Sequence, residues 1–264
     1  MANIDTILEI MRQLRDPEHG CPWDLEQSFR SIVAHTIEEA YEVADCIEHD
    51  RLSNLPAELG DLLFQVVFYG QIAQEQGLFS FADIVDALAN KLVSRHPHVF
   101  ADAAALTAGE QADRWESLKA AERLAANDGR ASSELADVPL GLPALTRAKK
   151  LQKRAARVGF DWPNTAGVRA KIVEELNEVD AAISEGSFPE IEEEIGDLLF
   201  ACVNWARHLN IEPETALRVA SLKFTRRFQY IESKLAQAGF KFENTSLARM
   251  DQLWDEAKRA EKAP

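Results

Sequence analysis

The chain has 264 residues, 46% of them hydrophobic, which is enough for one large or two modest buried cores. Its 44 acidic against 29 basic residues give a net charge of −15, which opposes a nucleic-acid backbone but admits a small anion if divalent cations invert the sign of an acidic pocket. No apolar stretch approaches the roughly 20 residues that span a bilayer, and Cys21, Cys46 and Cys202 are too scattered for a disulfide framework or a thiolate zinc site.

Residues 1–16 combine acidic residues with helical apolar spacing, so they read as a helix rather than a signal peptide, and a cytoplasmic protein is expected. The Gly20-Cys-Pro-Trp-Asp24 segment has no ligand partner and reads as packing. Ile32, Val33, Ile37, Ala40 and Tyr41 recur three and four apart and predict a helix. A second begins after Ser53-Asn54-Leu55-Pro56, where a capping residue and an early proline mark a start. It carries the stripe Leu59, Leu62, Leu63, Val66 and Val67 and stops at Gly77.

Residues 125–143 collect Gly, Ser, Asp and Pro and predict a linker between domains at 1–124 and 144–264. In the second half, Gly186-Ser187-Phe188-Pro189 interrupts two periodic segments in the same place, and so short a connection implies antiparallel neighbours. No long alternating β-branched run appears. The fold class expected is all-α, two tandem helical bundles each holding a helical hairpin.

The two halves are copies. At an offset of 136, Glu38-Glu39-Ala-Tyr-Glu42 aligns with Glu174-Glu175-Leu-Asn-Glu178, and Glu58-Leu-Gly-Asp61-Leu-Leu-Phe64 aligns with Glu194-Ile-Gly-Asp197-Leu-Leu-Phe200. At nearby offsets Lys91 to Arg95 answers Lys223 to Arg227, and Trp115 to Lys119 answers Trp254 to Lys258. A period this long indicates a duplicated domain rather than a solenoid. From Val43 to Ala57 only 2 of 15 positions match, yet all five acids do.

Helical residues three apart share a face, so Glu39 with Glu42, Glu58 with Asp61, Glu175 with Glu178, and Glu194 with Asp197 each form a carboxylate ridge. Antiparallel packing can bring the two ridges of a hairpin together, and four such acids repel unless neutralised. Hard oxygen ligands suit Mg²⁺, with Mn²⁺ as a substitute, and Mg²⁺ is usually shared with substrate phosphates. The candidate substrate is therefore a phosphate ester or anhydride, with Glu38 or Glu174 as the proton acceptor beside the cage. A di-iron bundle would need Glu-x-x-His pairs, and no histidine stands three residues after a glutamate.

The combination of EEAYE with ELGDLLF, EELNE with EIGDLLF, GCPWD at residues 20–24 and KFTRRF at 223–228 resembles the MazG family over nearly the whole chain. The resemblance implies an all-α nucleoside triphosphate pyrophosphatase fold, a homodimer, and Mg²⁺-dependent cleavage between the α and β phosphates with broad base tolerance. It also implies metal ligands at Glu175, Glu178, Glu194 and Asp197, a matching set at Glu39, Glu42, Glu58 and Asp61, and phosphate contacts from Lys223, Arg226 and Arg227.

The residues themselves leave alternatives. The three cations lie within about one helical turn and suit a triphosphate or a solvated basic face. Trp254 can stack on a base or, beside Leu253, pack in the core. Lys171 and Glu174 complete the expected substrate-binding set. Opposite Lys171, Lys223, Arg226 and Arg227 the first half has His35, Lys91, Ser94 and Arg95, so the second half is expected to carry the principal activity. The apolar stretches at 62–64 with 66–69, and at 198–200, exceed a single stripe and also point to a homodimer.

Overall fold

A computed structural model describes residues 3–101, 107, 109, 114, 118, 133–186 and 188–261. Trp115 and Lys119 of the repeat, and residues 125–132 of the expected linker, lie outside the described residues. Among those described there are eleven α-helices and no strand. The chain divides into two compact units, Met1–Arg130 and Ala131–Pro264.

The first unit contains α1 (Ile4–Leu14), α2 (Pro22–Glu26), α3 (Phe29–Glu48), α4 (Leu55–Glu75), α5 (Phe81–Arg95) and α6 (Pro97–Phe100). Reciprocal bonds between Asn3 and Thr6 start α1, and the same device uses Ser28 with Ser31 for α3 and Ser80 with Asp83 for α5. Pro56 sits in the first turn of α4, but Asn54 is itself helical and its side chain caps nothing, so the proline alone marks that start. Gly77 ends the helix with φ 67°, a conformation costly for residues with a Cβ.

The hairpin of α3 and α4 encloses this unit's core with α1: Met11, Ile32, Val67, Phe68 and Ile72 are all buried together. Arg15 is buried beside them, its guanidinium 2.6 Å from the Glu75 carboxylate, bonded to the Asp24 carbonyl and lying over the Phe68 ring. This pairing holds Glu75 below the usual carboxylate range even though burial opposes it. From Gly20-Cys-Pro-Trp-Asp24, Asp24 is buried as expected of packing, whereas Trp23 is half exposed and meets the His35 ring edge-on.

The second unit contains α7 (Ala144–Arg157), α8 (Thr165–Glu185), α9 (Phe188–His208), α10 (Pro213–Gln237), a 3₁₀ turn at Phe242–Asn244, and α11 (Leu247–Ala260). Asn164 caps α8 through its side chain, and Gly186 ends that helix with φ 73°, so the break expected at 186–189 is where the hairpin of α8 and α9 turns. Helix α7 packs on α9, and α10 packs on α11 around Ile231, Leu235 and Leu253. Residues 133–143 lie against this unit, with Val138 buried and the Ala136 carbonyl accepting from Arg154.

Candidate metal centre

Helix periodicity places Glu175 and Glu178 one turn apart on α8, and Glu194 and Asp197 one turn apart on α9. Packing of these two helices then brings carboxylate oxygens of Glu175, Glu194 and Asp197 within 4.8 Å of one another. Glu175 is the buried member, 4% exposed; Glu194 is half-buried and Asp197 open. The environment therefore grades from interior to solvent across one cluster, with its open side available to a ligand.

Glu178, exposed one turn along α8, has its affinity for a proton raised above the usual carboxylate range by the neighbouring Glu175 and by desolvation. Lys171, one turn earlier on α8, donates to Glu174 at 2.8 Å, lies 2.7 Å from Glu175 and stands 3.8 Å from Glu178. Those contacts, Glu174 first, hold the ammonium well above the ordinary lysine range. Glu174 is exposed beside the cage, where a general base would stand.

The donor set fits Mg²⁺. Three convergent carboxylates supply hard oxygen ligands, and the exposed edge at Asp197 leaves room for the water and phosphate oxygens that this cation retains. Neither histidine nor thiolate enters the cluster, which disfavours zinc.

The copied acids of the first unit are less tightly gathered. Burial, then Glu42 and Asp61, raise the proton affinity of Glu39, so these three share one neighbourhood. Among the described residues, however, Glu39, Glu42, Glu58 and Asp61 supply no trio with oxygens as close as those of the second unit. His35 stands where Lys171 stands in the copy, and it lies 3.6 Å from Glu38 rather than reaching Glu39.

The expected phosphate-binding cations lie on α10. Lys223 and Arg226 are exposed, whereas Arg227 is half-buried, bonded to Glu261 at 2.7 and 3.0 Å and stacked over Trp254 at 5.5 Å. All three lower the Glu261 pKa, led by the Arg227 hydrogen bonds. Trp254 packs on Phe224 and joins the α10–α11 core, the second of its two sequence readings. Its indole is held there by both a ring and a guanidinium.

Sequence reasoning passed over a cavity of about 520 Å³ between α7, α9 and the loop at Gly159-Phe-Asp-Trp162. Asp161 accepts from both guanidinium nitrogens of Arg207 and lies 2.9 Å from His208 Nε2, which brings its pKa down to about 2. The signal was present: Gly159 to Trp162 answers Gly20 to Trp23, and at the repeat offset Asn204 falls opposite Phe68.

The model described as the MazG nucleotide pyrophosphohydrolase domain matches residues 27–100 and 164–231, once in each unit. A protein of Escherichia coli (strain K12) named nucleoside triphosphate pyrophosphohydrolase is 49% identical over 263 residues, covering 99% of both chains. The nucleoside triphosphate pyrophosphohydrolase/pyrophosphatase MazG of Thermotoga maritima is 41% identical over 255 residues, 96% of this chain and 95% of that one. A nucleoside triphosphate pyrophosphohydrolase of Mycolicibacterium smegmatis is 39% identical over 141 residues, 53% of this chain and 42% of that protein.

Proposed function

The chain belongs to the MazG nucleotide pyrophosphohydrolase family, and on that premise we propose that it is a Mg²⁺-dependent nucleoside triphosphate pyrophosphohydrolase whose principal site is in the second unit. The observation that carries this reading is the close trio of Glu175, Glu194 and Asp197 with Lys171 beside it. Glu175, Glu178, Glu194 and Asp197 would hold Mg²⁺, or Mn²⁺ in its place. Bound there, the cation would polarise phosphoryl oxygens and offset the charge of the leaving diphosphate.

The remaining work falls to the chain. Glu174, exposed next to the cage, accepts the proton of the attacking water. Lys171 shifts from the carboxylates toward substrate oxygen, and Lys223, Arg226 and Arg227 steady the phosphate tail. The first unit, with His35 in place of Lys171 and a looser acid set, contributes a weaker site in which Glu38 is the corresponding base. Broad base tolerance follows because all these groups address phosphates rather than the base.

No helix among the described residues is long and apolar enough to cross a membrane, and a nucleotide-pool enzyme with three free cysteines fits the cytoplasm. We also propose a homodimer. Val173, Leu176 and Ile183 on α8, with Ile195 and Leu199 on α9, leave large apolar side chains exposed along the hairpin. Light scattering should give twice 29.5 kDa at micromolar concentration, and a monomer there would contradict the assembly.

The function is tested by product chromatography with ATP and Mg²⁺: AMP and diphosphate should appear together and cease on chelation. ADP with orthophosphate would overturn the cleavage position, and no turnover of any nucleotide would overturn the activity.

A further inference from the structure

We infer that Glu261, at the end of α11, is a positioning residue: it holds the Arg227 guanidinium over Trp254 so that the remaining edge of that guanidinium meets the phosphate tail. The inference rests on the proposed triphosphate substrate and concerns how the chain prepares one of its cations for it.

Two groups fix Arg227. Its Nε and Nη2 both donate to Glu261 Oε2, at 3.0 and 2.7 Å, and its Cζ stands 5.5 Å from the centre of the Trp254 ring. The carboxylate sets how the guanidinium is turned, and the indole gives it a floor. That floor is itself held, because Trp254 packs on Phe224 at 5.3 Å between ring centres and joins Leu253 in the core of α10 and α11. A guanidinium has two hydrogen-bonding edges, and Glu261 occupies one of them. Among the described residues no partner takes Nη1, so the edge formed by Nη1 and the second proton of Nη2 keeps the fork that grips two phosphate oxygens. Helix α10, which carries Arg227, packs on α9, which carries Glu194 and Asp197.

The place of the acid points the same way. Glu261 stands at the C-terminal cap of α11, where the last carbonyls and the helix macrodipole disfavour a negative charge. Lys258 and Arg259 suit that end, and Glu261 does not. Its carboxylate is kept ionised by Arg227 first, then by Arg226 and Lys223. An acid so placed serves the neighbouring helix rather than its own.

A carboxylate at a phosphate site also weakens the attraction there. Three cations face this one acid, and two of them, Lys223 and Arg226, are exposed, so the cluster stays positive with Glu261 in place. What Glu261 adds is order, since an unheld arginine loses rotamer freedom when it grips a ligand.

The duplication keeps the same three residues. Trp254, Lys258 and Glu261 follow at four- and three-residue steps on one face of α11, and at an offset of 139 Trp115, Lys119 and Glu122 repeat that spacing. Of the five positions between them, only Ala121 and Ala260 match. Arg95 answers Arg227 in the first half. Glu122, like Trp115 and Lys119, lies outside the described residues, so this correspondence is one of sequence.

The test uses the full chain, with ATP for steady-state turnover and inorganic diphosphate with Mg²⁺ for calorimetric binding. Glu261→Gln keeps the size of the side chain and removes its charge. It should raise both KM for ATP and the Kd of diphosphate about five-fold, the size expected when one long side chain must be ordered by its ligand, with a much smaller change in kcat. Glu261→Asp, which keeps the charge on a shorter arm, should recover part of the loss. In an Arg227→Ala background Glu261→Gln should add no further loss, because it acts only through the guanidinium. Thermal melts check that each variant is folded.

Equal KM and Kd in native protein and Glu261→Gln would overturn the positioning role, and so would a lower KM, which would make Glu261 a competitor of the phosphate. A loss that persists in full without Arg227 would overturn it too, since the acid would then be acting on the end of α11. A native protein whose diphosphate affinity depends on Glu261 as expected but which hydrolyses no triphosphate would overturn the proposed function alone. An active enzyme indifferent to Glu261→Gln would overturn the positioning role alone, and a native protein that neither turns over ATP nor binds diphosphate would overturn both.

Discussion

The two units begin from one acid pattern and end with different interiors. In the first, Phe68 drives into a cluster with Met11, Ile32, Val67 and Ile72, and Arg15 seals it from above through Glu75 and the Phe68 ring. In the second, the matching α9 position is Asn204 at the edge of an open cavity, and the buried cluster on α10 and α11 reduces to Ile231, Leu235 and Leu253. The unit that gathers three carboxylates most closely also keeps an empty volume farther along α9. The lesson is that after duplication the copied acids alone do not make equivalent sites. What differs is the counter-ion at Lys171 or His35, and the ring or void about two turns beyond the aspartate.

The comparison breaks most readily at its packed end. Phe68→Ala should lower the stability of the first unit by about 3–5 kcal/mol, the usual range for a buried ring removed from a core. The alanine variant at Phe200, a ring 43% exposed on the cavity wall, should lose far less. Urea titration of both variants decides it, and equal losses would mean that the two interiors are equally well packed.

Next comes activity. Glu175→Gln should reduce diphosphate release by about 100-fold, equivalent to about 2.7 kcal/mol of barrier, because a cage ligand is lost. Glu39→Gln should leave most of the release intact. Circular dichroism confirms folding of both, and the reverse ranking would move the principal site to the first unit.

The clamp on the aromatic loop is expected to titrate. Asp161 has a folded pKa of about 2 against an ordinary 3.8, so its carboxylate stabilises the fold fully above the ordinary value, and that contribution fades as pH falls toward 2. Asp161→Asn should cost about 1.5–3 kcal/mol at pH 7, the range for hydrogen bonds to charged groups, and the gap to the native protein should close in acid. A gap that stays constant from pH 7 down to the folded pKa would show that the charge is not what matters.

The smallest effect should be shared equally. Gly60 and Gly196 are repeat equivalents inside α4 and α9, and a Cβ on either meets nothing within 4 Å. Gly60→Ala and Gly196→Ala should each stabilise by about 0.5–1 kcal/mol in thermal melts. A loss at one position only would reveal a difference in helix surroundings between the units.

Local rules made much of this legible in advance. The proline in the first turn of α4, the glycines after α4 and α8, and the three- and four-residue apolar spacing each act within a few residues, so the hairpins and the ridges on them could be read from sequence. The family membership was legible for the same reason, because acids one helical turn apart within an apolar repeat form a recognisable string.

Other features depend on residues far apart in the chain. Asn54 is a good capping type, yet the chain reaches it already helical and its side chain caps no backbone N–H of α4. Arg227 is drawn to Glu261, 34 residues on, and Trp254 to the core of α10 and α11, by contacts that no local pattern encodes. That Glu175, rather than Glu178, is the buried member of its ridge depends on how α8 rolls against α9. The sequence by itself determined the helices, the duplication and the acid ridges, since these follow from periodicity. Only the tertiary structure decided which acids converge, which cations stay open and where a cavity is left, because packing between distant helices sets the burial and distance on which each of those depends.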